Sequence, residues 1–213
     1  SGLKRHVCAE MTAAALVCQN RGQAPCGTCP ECVRAKAKTH PDISYITAPK
    51  DKKSIGVDII RALSDDCFIK PFSTGKKVYI IEGDDLTEAA QNAFLKTLEE
   101  PPEYAVFIII SSDLNSLLDT VLSRCTVIKF PNLSTDFIKE IIKKNYPDEK
   151  RIDFLASFSE GNPGKLESII HDEAFEAMRF SALEHLSMLL SDRLYSAYKI
   201  CDFLEKNKEQ AED

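Results

Sequence analysis

The chain has 213 residues, 44% hydrophobic and 28% charged, with a formal net charge of −6 and a pI near 5.4; this suits a globular protein holding one α/β domain and a smaller one. Its longest apolar run, residues 105–110, is far too short to cross a bilayer, and the N-terminus lacks an apolar signal segment, so the expected location is the cytoplasm with no membrane partner. The acidic balance excludes the broad basic face of a protein that binds nucleic acid alone, and eight cysteines without a secretion signal favour metal ligation over disulfides.

In chain order, Val7, Met11, Ala14 and Cys18 fall on one face of a first helix. Cys18, Cys26, Cys29 and Cys32 follow as a C-x7-C-x2-C-x2-C array. Four thiolates at that spacing can close a tetrahedron around Zn²⁺. Gly27 and Pro30 sit inside the short gaps, where turn formers belong. No open coordination position is apparent, so the expected metal is a structural zinc. Cys8, Cys67, Cys125 and Cys201 are scattered singly and are expected to be small buried residues.

Runs at 43–47, 78–81, 106–111 and 126–130 are rich in β-branched and aromatic residues and are expected to be strands. Three are almost wholly apolar, as in a parallel sheet covered on both faces. Between them, Ala90, Ala93, Phe94 and Leu98 share a helix face. Thr87 is the expected N-cap of that helix, Glu88 suits its first turn, and Pro101-Pro102 should stop it.

The run from Lys77 to Ile81 leads into Glu82-Gly83-Asp84-Asp85. An apolar strand ending in acids is the arrangement in which phosphoryl-transfer enzymes hold Mg²⁺ and activate water. Here Gly83 occupies the second acid's place, so ATP hydrolysis by this chain is expected to be poor or absent. G-x-x-x-x-G-K-[ST] is missing. The nearest segment is Ser1-Gly2-Leu3-Lys4-Arg5-His6, leaving a degenerate nucleotide site near Lys4, Arg5 and Glu82 that binds no ATP productively.

After Phe130 the pattern becomes helical. Ser134 can cap a helix, with Leu133 and Ile138 placed as a hydrophobic staple. A second helix should end at Gly161 and a third begin at Pro163. From Ala174 two longer helical patterns follow, with Met178, Leu183, Leu186, Leu189 and Leu190 as apolar positions. The last stretch, 205–213, is highly charged.

Together these segments resemble the clamp-loader subunits of bacterial DNA polymerase III, a branch of the AAA+ family. The resemblance runs through the cysteine array into His40-Pro41-Asp42, then Gly56-Val57-Asp58-Ile59-Ile60-Arg61, Lys70-Pro71 and the strand ending at Ile81. It is most specific in Gln91-Asn92-Ala93-Phe94-Leu95-Lys96-Thr97-Leu98-Glu99-Glu100-Pro101-Pro102 and in Leu117 through Ser123-Arg124-Cys125. It covers roughly residues 1–170.

The resemblance implies a three-layer αβα AAA+ core with a parallel sheet, its first strand missing from this sequence. That core would span 1–131 with a zinc module at 18–32, followed by a three-helix lid at 132–173 and the start of a helical collar at 174–213. It also gives Arg124, with Ser123 and Cys125 of its motif, the role of an arginine that reaches a neighbouring subunit's ATP site. Ser111 and Ser112 take the place of one phosphate sensor, and Lys165 of another, though a helix-start role suits Lys165 better.

The implied partners are the gamma/tau and delta subunits, with the sliding clamp and primed DNA reached through the complex. The branch implied is the non-hydrolysing delta-prime one, which would have no enzymatic activity by itself. Two alternatives stand beside it: a truncated gamma/tau motor subunit, and a zinc-stabilised interaction module with no part in ATP chemistry.

Overall fold

The computed structural model describes residues 5–73 and 75–191. Contacts divide the chain into two units, Ser1–Pro131 and Asn132–Asp213. In the first, α1 (Arg5–Val17) and α2 (Pro30–Lys36) precede β1 (Ile43–Ile46). Then come α3 (Val57–Cys67), β2 (Lys77–Glu82), α4 (Glu88–Glu99), β3 (Ala105–Ile110) and the short α5 (Asp119–Leu122).

The three strands form a parallel sheet in the order β1-β2-β3, with Ile43 opposite Val78 and Lys77 opposite Ala105. Parallel neighbours need crossover connections, and α3 and α4 supply them. Alternation along β2 then assigns its side chains to two layers. Tyr79 and Ile81 join Ile60, Leu63, Ala90 and Phe94 from α3 and α4. Val78 and Ile80 join Ala9, Ala13, Val17 and Ala35 from α1 and α2. The result is the expected αβα arrangement.

Two expectations about strands need correction. The segment 126–130 is no strand: it has no ladder partner among the described residues, and Val127, Ile128 and Phe130 are exposed. A β-prone sequence becomes a strand only where a neighbour accepts its backbone hydrogen bonds. For the same reason β3 is half-exposed except at Ile110, although its sequence is as apolar as that of the central strand.

The buried face of α1 matches the expected one only toward its end, where Ala14 packs against the core and Cys18 is buried. Ala9, Ala13 and Val17 face the sheet, whereas Val7 and Met11 are exposed at 48% and 56%. Small side chains let the helix axis approach the sheet closely, and both stripes have helical spacing. Cys8 is likewise exposed, contrary to expectation, while Cys67 is buried and Cys125 half-buried. Cys201 lies outside the described residues.

Polar ties fix the loops. Asp42 is buried and accepts from the Phe72 and Ser73 amides at 2.6 and 2.9 Å. Asp66, at the end of α3, accepts from Lys77 Nζ at 2.9 Å and from the Tyr79 hydroxyl at 2.7 Å. The α4 helix starts as expected, with Thr87 Oγ1 accepting from the Ala90 amide, and it ends at the Glu100 cap before the proline pair.

The second unit contains α6 (Thr135–Asn145), α7 (Ile152–Phe158), α8 (Pro163–Ile170) and α9 (Glu173–Ser191). Ile138, Ile142, Leu155, Leu166 and Ile170 form its core, and Leu133 packs against it. Ser134 caps α6 by accepting from the Phe137 amide. Gly161 has φ of +78°, and a Cβ there would stand 2.2 Å from the Leu133 carbonyl oxygen; only glycine satisfies both constraints. Of the apolar positions expected after Ala174, Leu183 is exposed and Met178 half-buried. The side chains of Leu186, Leu189 and Leu190, and the second long helix, lie outside the described residues. No helix among the described residues is long and apolar enough to cross a membrane.

Phe94 is fully buried and meets Phe107 edge-on, with ring centroids 5.1 Å apart. Phe94→Ala is expected to destabilise the first unit by about 3–5 kcal/mol, measured as a lowered urea midpoint with the protein still folded in buffer.

Candidate functional site

The expected site residues fall into three groups. The first is the cysteine cluster. Cys18 lies just beyond the end of α1, Cys26 stands on the following loop, Cys29 is the N-cap of α2, and Cys32 lies inside α2. All four sulfurs lie within 4.8 Å of one another, with Cys18–Cys29 and Cys26–Cys32 each at 4.0 Å. A tetrahedron with metal–sulfur bonds near 2.3 Å has edges of about 3.8 Å, so the donor set fits a zinc ion with little adjustment.

The two-residue spacings have a local explanation. The Cys29 amide donates to Cys26 Sγ, and the Cys32 amide to Cys29 Sγ, both at 3.4 Å. Backbone amides of Thr28 and Cys29 hold the Cys26 thiol down at about 6, whereas burial pushes Cys32 up to about 12.

Glu31, between the last two cysteines, is buried. It receives Arg34 at 3.1 Å, and His40 Nε2 lies 2.9 Å away without hydrogen-bond alignment. His40 Nδ1 accepts from the Asp42 amide at 3.0 Å, so Nε2 carries the proton in the neutral ring. Through His40, the edge of the cysteine module meets the start of β1.

The second group surrounds the end of β2. His6 Nδ1 is 3.1 Å from Glu82 Oε1, and burial raises the Glu82 carboxyl despite that neighbour. Arg5 Nη1 donates to the Ser111 carbonyl at 2.6 Å. Lys4 lies outside the described residues. Asp84 accepts from Ser111 Oγ at 2.5 Å, the Ser112 amide at 2.8 Å and Ser116 Oγ at 3.1 Å, and also from Ser112 Oγ.

Partial burial works to raise the Asp84 carboxyl, but these donors outweigh it and hold the group at about 2. A depressed carboxyl contributes fully above its unfolded value, near 3.9, and the tie is lost as pH falls through the folded value. At neutral pH Asp84 is therefore an ionised clasp on the loop after β3. Ser111 and Ser112, expected at the place of a phosphate sensor, serve that clasp.

Gly83, expected at the place of a water-activating acid, is packed tightly. A Cβ there would lie 2.8 Å from Ile109 Cγ2 and 2.9 Å from the Ile110 carbonyl oxygen. Neighbouring backbone would have to move before any side chain fitted.

The third group contains Arg124. Gln91 is buried on α4; its Oε1 accepts from the Leu118 amide at 2.7 Å, and its Nε2 donates to the Ser116 and Leu86 carbonyls at 2.9 and 3.3 Å. The bonds to Leu118 and Ser116 fix the approach to α5, which starts at Asp119 with an acid in its first turn, while the bond to Leu86 ties Gln91 to the start of its own helix. Beyond that turn, Arg124 Nη2 lies 2.5 Å from Glu99 Oε1, and Nη1 donates to the Thr120 carbonyl at 2.8 Å. Ser123 Oγ also accepts from Arg124 at 3.3 Å. Burial raises the Cys125 thiol.

In the second unit, Lys165 stands 4.8 Å over the Phe158 ring, and its amide donates to the Asn162 cap. It lies in the first turn of α8, which begins at Pro163. The partners His6, Asp84 and Glu99 were not assigned from sequence. Gln91 carried one usable signal: it is an amide on the helix face that also presents Ala90 and Phe94 to the core.

The family model for DNA polymerase III, delta subunit, matches residues 1–134. A DNA polymerase III subunit delta′ of Yersinia pestis is 44% identical over 112 residues, 52% of this chain and 33% of the relative. One from Pseudomonas aeruginosa is 30% identical over 198 residues, 91% of this chain and 60% of the relative. A gamma/tau subunit of Mycoplasma pneumoniae is 34% identical over 133 residues, 62% of this chain and 19% of the relative. This chain thus spans between a third and three-fifths of the two delta′ relatives. With most of its length matched, the chain belongs to the DNA polymerase III, delta subunit family, among the clamp-loader subunits of bacterial DNA polymerase III.

Proposed function

We propose that this chain is a delta-prime-type subunit of a cytoplasmic sliding-clamp loader, which binds no ATP productively and lends Arg124 to the ATP site of a neighbouring gamma/tau-type subunit. The observation that carries this reading is the contrast between two places. Gly83 stands where a catalytic acid would be needed and has no room for a side chain, while Arg124 sits on the turn just after a short helix whose start is fixed by Gln91. A subunit that cannot activate water but presents a guanidinium is suited to complete another subunit's site. There the planar, permanently charged group would stabilise charge on the transferring phosphoryl.

In this reading residues 132–173 are the lid and 174–213 the beginning of a collar. The delta subunit, the clamp and primed DNA are engaged through the assembly. Cys18, Cys26, Cys29 and Cys32 hold a structural zinc, whose contribution is to fix the α1–α2 connection. A gamma/tau motor is the second reading, supported by the match to the Mycoplasma pneumoniae subunit; the packing at Gly83 speaks against it.

Two experiments test these assignments. The full-length protein alone should not hydrolyse ATP. Reconstituted with its motor partners, DNA- and clamp-stimulated hydrolysis should fall at least roughly tens-fold with Arg124→Ala. Motor-like turnover by the isolated protein, or an unchanged rate in that variant, would refute the reading.

For the metal, elemental analysis should find one zinc per chain. Cys32→Ser or chelation should remove it and lower Tm by roughly 4–8 °C, the equivalent of about 2 kcal/mol for a chain of this size. Retention of Tm after complete metal removal would leave the cluster without a structural role.

A further inference from the structure

We propose that Glu99 is a positioning residue for Arg124, holding its guanidinium folded against its own subunit until phosphoryl oxygens of a neighbouring site displace the carboxylate. This rests on the arginine-donor reading above and adds the group that governs when the arginine is available.

Three contacts define the folded posture. Arg124 Nη2 donates to Glu99 Oε1 at 2.5 Å. Nη1 donates to the Thr120 carbonyl at 2.8 Å and to Ser123 Oγ at 3.3 Å. Thr120 precedes Arg124 by four residues, so this carbonyl bond makes the side chain double back along α5. Both terminal nitrogens then serve groups of their own subunit, and the side chain cannot also extend toward another chain.

Glu99 is well placed to keep it there. It closes α4, whose end is set by the Glu100 cap and by Pro101 and Pro102. The carboxylate therefore projects from a fixed backbone. The helix dipole disfavours an acid in that last turn, and the pair with Arg124 offsets this cost.

The strength of the latch follows from its exposure. The Arg124 and Glu99 side chains are 33% and 49% exposed. Ion pairs at such exposure shift an equilibrium by up to roughly fivefold. A phosphoryl group presents more charge and more acceptor oxygens than one carboxylate, so it can win the guanidinium in competition. The contact is weak enough to be opened by the reaction it serves, and strong enough to lower the fraction of extended arginine in its absence.

The test uses the full-length protein reconstituted with its gamma/tau-type partners, with ATP hydrolysis measured without DNA or clamp. Glu99→Gln, close in shape but uncharged, is expected to raise that basal rate roughly two- to fivefold. Glu99→Asp should fall between it and the wild type. The gain should shrink at high salt, where screening loosens the wild-type pair. It should also vanish when Glu99→Gln is combined with Arg124→Ala; a merely structural role for Glu99 would produce neither dependence.

Thermal melting of the variants should match the wild type, since Glu99 is half-exposed. A basal rate at or below wild type in Glu99→Gln, with Arg124→Ala strongly impaired, would overturn the latch while leaving the arginine-donor role intact. An Arg124→Ala complex with the wild-type rate would overturn both.

Discussion

Strand β2 is buried on both faces, and the first unit is organised by that burial. Its alternating side chains belong to two cores at once: Val78 and Ile80 to the layer of α1 and α2, Tyr79 and Ile81 to that of α3 and α4. An apolar strand of this kind is stable only when both faces are covered. That requirement sets the helices on either side of the sheet. It also carries the end of the strand, with Glu82 and Gly83, to the edge where α1 begins and the loop after β3 returns.

At that edge charge is satisfied internally. His6 meets Glu82, Arg5 holds the Ser111 carbonyl, and Asp84 clasps Ser111, Ser112 and Ser116. In an ATPase such groups would be held in readiness for phosphate, metal and water. Here they tie neighbouring segments of the same chain to one another. In the proposed function the chemistry offered to a partner would sit elsewhere, on the turn after α5, where Gln91 sets the backbone and Glu99 receives the arginine. A division of labour between subunits, one carrying the nucleotide and the next supplying the cation, is consistent with this distribution.

Much of the fold was legible in the sequence because its signals are local. The Thr87 cap, the proline stop after α4 and the tight cysteine spacings each act over a few residues, and each has its structural counterpart. What was not legible depends on distant neighbours. Residues 126–130 have strand composition but no ladder partner among the described residues. On α1, the stripe with Ala9 and Ala13 outcompetes the one with the larger Val7 and Met11 because closeness of approach to the sheet, not side-chain size, decides which stripe is buried. The same limit applies to the site. Arg124 and the four cysteines could be singled out by motif, but the partners Glu99, His6 and Asp84 are set by tertiary geometry alone.

In the proposed function Arg124 acts on a nucleotide bound by another subunit. The most direct test is a structure of the assembled loader, with full-length protein and a phosphoryl transition-state analogue in the neighbouring site. The Arg124 guanidinium should then lie within about 3 Å of the analogue's oxygens, released from Glu99 and from the Thr120 carbonyl. Arg124 still folded onto Glu99, with no nucleotide in contact, would contradict it.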